Sequence, residues 1–275
     1  MSPHRQSATQ QITVGRALLA AEAAGSGDPV VFLHAAVCDS RMWRAQMQAV
    51  SPTHRAITYD RRGFGLTTAE PEDHSAVADL IAVLDAVGNG TPAVLVACSQ
   101  GGRIALDAAL LHPDRIRALV LISPSVSGAP DPVFAPEIQT LVDRQKQAEA
   151  ANDLDALNAI KAHLWLDGPL QSEGRVAGPA RDLFLDMNGI ALRMPPVGAN
   201  TDSITAYDRL AKIAAPTLVL CGDMDFPHIF ERSRHLAATM PDASFQPLPE
   251  AAHLPSLEQP ETVTQLLTDF LKRLR

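Results

Sequence analysis

Five short apolar runs constrain this chain more than any other feature. They are Pro29 to His34, Ala56 to Asp60, Pro92 to Cys98, Ile116 to Ile122 and Pro216 to Cys221, each five to seven residues long. A strand with one wet face alternates apolar and polar side chains. These runs do not alternate, so they predict strands buried on both faces, as in a parallel sheet. Parallel neighbours need crossovers, and helical patterns occupy Asp73 to Val87, Gly101 to Leu111, His228 to Met240 and Pro260 to Leu274. Right-handed crossovers then put helices on both faces of the sheet. The patches Gln11 to Val14 and Arg16 to Ala23 predict an antiparallel pair at the sheet edge.

The rhythm breaks between residues 128 and 207, where no strand-like run occurs. Pro136 to Ala150, Leu154 to Trp165 and Pro179 to Met187 carry helical patterns separated by Pro and Gly. About 80 residues without structure would be unusual inside a compact domain. The expected organisation is therefore a core of residues 1–127 and 208–275 with a helical cap, 128–207, inserted between core strands. Such a cap covers the carboxyl ends of the strands, where open α/β sheets bind ligands.

Composition removes several functions. A net charge of -8 repels phosphate backbones and argues against a nucleic-acid binder. No apolar run reaches the ~18 residues of a membrane span. The polar start, Met1 to Gln11, does not read as a secretory leader. Cys38, Cys98 and Cys221 are odd in number and far apart, which predicts buried free thiols in a reducing cytoplasm. No Cys or His cluster has metal-ligand spacing, so neither metal nor cofactor is expected. The expected partners are a small-molecule substrate and, for assembly, a second copy in a homodimer.

One motif carries chemistry. Val94 to Gly102 reads VLVACSQGG, a strand that turns directly into a helix at a small-x-Ser-x-Gly elbow. Reversal within one residue forces Ser99 into a strained conformation. Bulk at Ala97 or Gly101 would collide across the turn. The hydroxyl of Ser99 then stands out over the sheet, and the helix amides from Gln100 onward face any negative charge that develops beside it.

With that elbow in place, further segments make the chain resemble the α/β-hydrolase-fold family over nearly its full length outside the cap. Val31-Phe32-Leu33-His34-Ala35-Ala36, followed by Trp43, is similar to the family's strand and oxyanion turn. Tyr59 to Gly65 resembles its D-x-R-G-x-G turn, Leu218 to Asp225 its strand and G-x-x-D turn, and Glu250 to Pro260 its histidine loop. The order Ser, Asp, His matches. The resemblance implies a mostly parallel, doubly wound sheet of about eight strands. It implies Ser99 as nucleophile, His253 as general base and then acid, and Asp225 as the carboxylate that holds the imidazole. Asp223, on the same turn, is expected to satisfy turn amides. Among nine histidines, His4 lies in the polar tail, and His54, His74, His112, His163 and His235 lie in helical or linker segments. His34 orients the oxyanion turn, and His228 is a weak rival for the base. Backbone amides of Ala36 and Gln100 are the expected oxyanion donors, although Ala35 stands where the family usually has Gly. Asp60, Arg62, Gly63 and Gly65 form a tight polar turn. Thr68 occupies the place of a third nucleotide-binding glycine, so no dinucleotide site is read there.

A serine nucleophile argues against dehalogenase or epoxide-hydrolase relatives, which use aspartate. Relatives that cleave carbon-carbon bonds usually carry Trp after the histidine, whereas this chain has Leu254. The histidine loop is similar to those of enol-lactone hydrolases and small carboxylesterases. The expected substrate is a neutral, moderately apolar carboxylic ester or lactone. Trp165, Leu166, Phe184, Met187 and Met194 from the cap, with Val37, Phe226 and Leu254 from the core, are its expected lining. A carbon-carbon hydrolase or lyase on the same triad is the alternative, and a non-catalytic ligand receptor of this fold is the third.

Overall fold

Each apolar run becomes a central strand because its odd and even side chains both find apolar partners. In the computed structural model, which describes residues 9–274, Val31 and Leu33 enter one apolar layer while Val30 and Phe32 enter the other. Leu95 and Ala97 likewise part from Val94 and Val96. The first residues of the polar start, with His4, and Arg275 lie outside the described residues.

Strands β1 (Gln10–Val14) and β2 (Ala17–Ala24) pair antiparallel at one edge, in the register Ile12↔Leu19. β3 (Pro29–Leu33), helix α1 (Arg44–Val50) and β4 (Arg55–Tyr59) follow. The two-residue β5 (Thr68–Ala69) adds to β2. Helix α2 (Ala76–Val87), β6 (Ala93–Cys98), α3 (Gln100–Leu111) and β7 (Ile116–Ile122) complete the first half. After the insertion come β8 (Thr217–Gly222), α4 (Pro227–Thr239), β9 (Ala243–Leu248), the single turn α5 (Pro255–Glu258) and α6 (Pro260–Arg273). The sheet order is β1-β2-β4-β3-β6-β7-β8-β9, with every pairing from β4 onward parallel. That path is the expected eight-stranded sheet. β5 is the extra, too short and too polar in its surroundings to read as a strand.

Residues 128–207 form three helices, Pro136–Ala150, Leu154–Ala162 and Pro179–Arg193, with no strand of the sheet among them. The helix expected to reach Trp165 loosens into a π-helical turn, His163–Asp167. The helix expected to end at Met187 runs to Arg193, because Gly189 serves packing and not termination. A side chain there would meet Asn158 Nδ2 at 3.2 Å, and the adjacent Asn188 donates to Asn158 Oδ1 at 2.7 Å. Leu166, Phe184 and Met187 join the apolar layer that contains Val37 and Leu254. The insertion is thereby seated on loops at the carboxyl ends of the strands. Among the described residues no helix is long and apolar enough to cross a membrane.

Candidate active site

β6 delivers Ser99 with φ +53° and ψ −117°, a conformation that ordinary L-residues avoid. Neighbouring chain holds it there: its N–H donates to Ile122 O at 3.0 Å, and its carbonyl accepts from Ser125 N at 3.0 Å and Arg103 N at 3.2 Å. The small residue after the elbow is required by close approach. A Cβ on Gly101 would stand 2.4 Å from the Leu33 carbonyl oxygen.

The turn after β8 supplies both acids read from the sequence, and they do different things. Asp223 Oδ1 accepts from Glu250 N at 2.8 Å, bracing the loop that follows β9. Asp225 lies against His253 Nδ1, with Oδ2 at 2.8 Å and Oδ1 at 3.1 Å, and Oδ1 also accepts from Phe226 N at 2.7 Å. A carboxylate only accepts, so the Nδ1 facing it carries the hydrogen and Nε2 presents a lone pair. Nε2 is buried with no hydrogen-bond partner. The His253 carbonyl is 3.8 Å from Cys98 Sγ, which puts this loop beside the residue preceding Ser99. Asp225 and His253 are almost wholly buried, and Ser99 is 9% exposed.

His34 follows β3 and orients the adjoining turn. Its Nδ1–H donates to Ala35 O at 2.8 Å, and its Nε2 accepts from Arg61 N at 3.0 Å. Burial, reinforced by the charge of Arg61, holds its pKa well below the ordinary range, so the ring is neutral. Ala35 is buried and its carbonyl also accepts from Cys38 N at 3.2 Å, while Ala36 is exposed and Gln100 half-buried. The Asp60 turn is structural. Asp60 accepts from Ser40 N and Leu66 N at 2.8 and 2.7 Å, and Arg62 pairs with Asp79 and Glu72.

Of the expected lining residues, Val37, Leu166, Phe184, Met187 and Leu254 share one apolar layer. Trp165 joins this layer to the site, with ring centroids 4.7 Å from Phe226 and 4.6 Å from His253. Met194, half-buried beyond the last turn of its helix, is in none of these apolar groups. His228 meets the edges of Phe134 and Phe226 at 5.6 and 5.5 Å. Burial, more than the neighbouring Arg232, pushes its pKa down to about 4. A surface hollow of about 480 Å³ beside Glu231, Arg234 and Phe245 contains none of these residues.

Two features escaped the sequence reading. Arg175 Nε and Nη2 donate to the carbonyls of Asp167 and Leu166, Nη1 donates to that of Glu250, and Nη2 also pairs with Glu258. Glu258 in turn accepts from Ala252 N at 3.0 Å, one residue before His253. The signal available was Glu258 itself, an acid immediately after the mostly apolar stretch Ala251 to Leu257. The second feature is the side chain of Arg61.

A family model described as alpha/beta hydrolase family matches residues 30–266. A 2-hydroxy-6-oxo-6-phenylhexa-2,4-dienoate hydrolase of Burkholderia cepacia is 28% identical over 259 residues, 90% of this chain and 89% of that protein. A pimeloyl-[acyl-carrier protein] methyl ester esterase of Chromobacterium violaceum is 26% identical over 274 residues, covering 91% and 97%. Among solved structures, a malate-bound thermophilic esterase from Thermogutta terrifontis superposes with a TM-score of 0.76 at 28% identity, covering 98% of this chain and 99% of that one.

Proposed function

The chain belongs to the alpha/beta hydrolase family, and from that premise we propose that it is a serine hydrolase acting on a small, neutral, moderately apolar carboxylic ester or lactone. The observation that carries this reading is the state of His253. Its Nδ1 is engaged by both oxygens of Asp225, its buried Nε2 is unpaired, and its backbone carbonyl lies 3.8 Å from Cys98 Sγ, the residue before Ser99. An imidazole so fixed is ready to accept a proton at Nε2. Catalytic hydrogen bonds are often loose before substrate binds, so the Ser99–His253 contact forms in the complex.

The reaction runs in two halves. His253 Nε2 takes the Ser99 hydroxyl proton as Oγ attacks the ester carbonyl. Asp225 stabilises the imidazolium, and the amides of Ala36 and Gln100 receive the oxyanion. Collapse expels the alcohol, which takes the proton from His253. Water then attacks the acyl-Ser99 by the same route, releasing the acid and restoring the serine. Residues 128–207 act as the cap that selects substrate. The aromatic and aliphatic faces of Trp165, Leu166, Phe184, Met187, Phe226 and Leu254 favour a substrate without charge.

Labelling with a fluorophosphonate tests the reading: wild type should label, Ser99→Ala should not, and hydrolysis should favour neutral over carboxylated esters. Absence of wild-type labelling overturns it. A carbon-carbon hydrolase on the same triad is the second reading, favoured by the likeness to the Burkholderia cepacia enzyme. Products separate the two, since an ester yields an alcohol and carbon-carbon cleavage yields a ketone or enol.

A further inference from the structure

Arg61 follows the strand end that carries Asp60, and its side chain is 8% exposed. Its Nη1 donates to Gln100 Oε1 at 2.7 Å and its Nη2 to the His34 carbonyl at 3.1 Å. The guanidinium carbon lies 4.7 Å from the centre of the Phe64 ring. Nη2 also comes within 3.4 Å of His34 Nδ1, but that nitrogen already gives its hydrogen to Ala35 O, so the approach joins two donors. Nε is buried and unpartnered. Among the described residues no carboxylate forms an ion pair with Arg61, whereas the adjacent Arg62 has two. A buried charge without a counter-ion is costly, and mutation readily removes it. Burial pushes its pKa down to about 10, which leaves it cationic at neutral pH.

The two groups that Arg61 holds belong to the two segments expected to stabilise negative charge. The His34 carbonyl lies two residues before Ala36, and Gln100 bears the other amide. Resting on the serine-hydrolase reading above, we propose that Arg61 is a positioning residue of the oxyanion turn. It clamps the end of β3 to the start of α3 and supplies positive potential where the tetrahedral oxyanion forms. The surplus charge is unfavourable at rest and becomes balanced as that oxyanion appears, which lowers the barrier and not the ground state.

The test compares wild type, Arg61→Met, Arg61→Lys and Gln100→Met on a neutral p-nitrophenyl ester. Loss of one direct oxyanion donor costs about 10²–10³ in turnover, and an indirect supporter should cost about 10- to 100-fold. Arg61→Met is expected to show that loss in kcat with KM within about twofold, and an equal fall in fluorophosphonate labelling rate. Arg61→Lys keeps the charge and should restore part of kcat. Gln100→Met keeps the amide but loses the clamp, and should fall in kcat alone. If Arg61→Met does not fold, Arg61→Lys and Gln100→Met carry the comparison. Unchanged kcat in the folded variants, or a loss confined to KM, overturns the proposal while leaving Ser99 untouched. Wild type that neither labels nor turns over an ester overturns the hydrolase reading and this inference with it.

Discussion

On one flank of Ser99, Asp225 accepts from His253 Nδ1, and the histidine's loop is held through Glu258 by Arg175. On the other flank Arg61 lies buried between Gln100 and His34 with no carboxylate. In the proposed mechanism the histidine flank moves a proton back and forth without changing orientation. A carboxylate on Nδ1 and a hydrogen-bonded loop suit that task, because they fix one tautomer. In that mechanism the oxyanion flank receives negative charge that exists only briefly. A fixed positive surplus suits that task, because its benefit arises only in the transition state.

The comparison breaks most severely at Asp225. Asp225→Asn keeps the shape but makes the partner of Nδ1 as much a donor as an acceptor. The expected loss is about 10⁴ in kcat with little change in KM, read by steady-state hydrolysis with unfolding monitored in parallel. A loss under tenfold would mean that His253 is not oriented by Asp225. The Arg61 variants described above come next in size.

A smaller effect is expected at the latch. Glu258 is buried, which raises its pKa, while Arg175 and the Ala252 amide oppose that rise. Glu258→Gln should lower kcat about tenfold by loosening the loop that positions His253. Arg175→Met should do the same, and the double variant should cost no more than either single change, because both act through one contact. Additive losses would show two separate roles. Trp165→Ala removes a ring that touches both His253 and Phe226. It should raise KM for aromatic esters about tenfold and leave acetate esters nearly unchanged, since the large apolar contact is lost only to the larger substrate. Equal effects on both would place Trp165 with the imidazole and not with the substrate.

Most of the sheet was legible because its central strands are apolar on both faces, a pattern a wet-faced strand cannot imitate. β5 was not, since two residues beside a polar turn carry no periodic signal. The helix through Gly189 was cut short for a related reason: glycine marks an end locally, and only the nearness of Asn158 shows that it marks close packing. The strand-to-helix elbow at Ser99 was readable because it dictates small neighbours over a few consecutive residues. The choice between Asp223 and Asp225 rested on resemblance, and only the fold separates a turn brace from an imidazole partner. Arg61 and Arg175 were invisible for a deeper reason. An arginine's meaning depends on whether a carboxylate reaches it, and those partners are set by tertiary contact, up to 83 residues away for Arg175 and Glu258.

The smallest effect concerns His228, which sits on the histidine flank as a neutral neighbour of Asp225. Its pKa is pushed down to about 4 by burial among Phe134 and Phe226, with Arg232 and His253 adding to the fall and Asp225 opposing it. In the unfolded chain a histidine titrates near about 6.5. Between those values the unfolded chain binds the proton and the folded one does not, so this residue's contribution to stability falls as pH drops from about 6.5 to about 4. Asp60, Asp107 and Glu258, whose pKa values are raised by burial, act in the opposite sense. The difference between wild type and His228→Gln therefore isolates the effect where a single curve does not. Denaturant unfolding at pH 7, 6, 5 and 4 should show wild type losing ground to the variant as pH falls, with kcat at pH 7 within about twofold. A difference independent of pH would mean that His228 is as free to ionise in the folded protein as in the unfolded chain. The histidine flank would then carry a cation beside Asp225 at mildly acid pH, and it would no longer be set apart from the flank that holds Arg61.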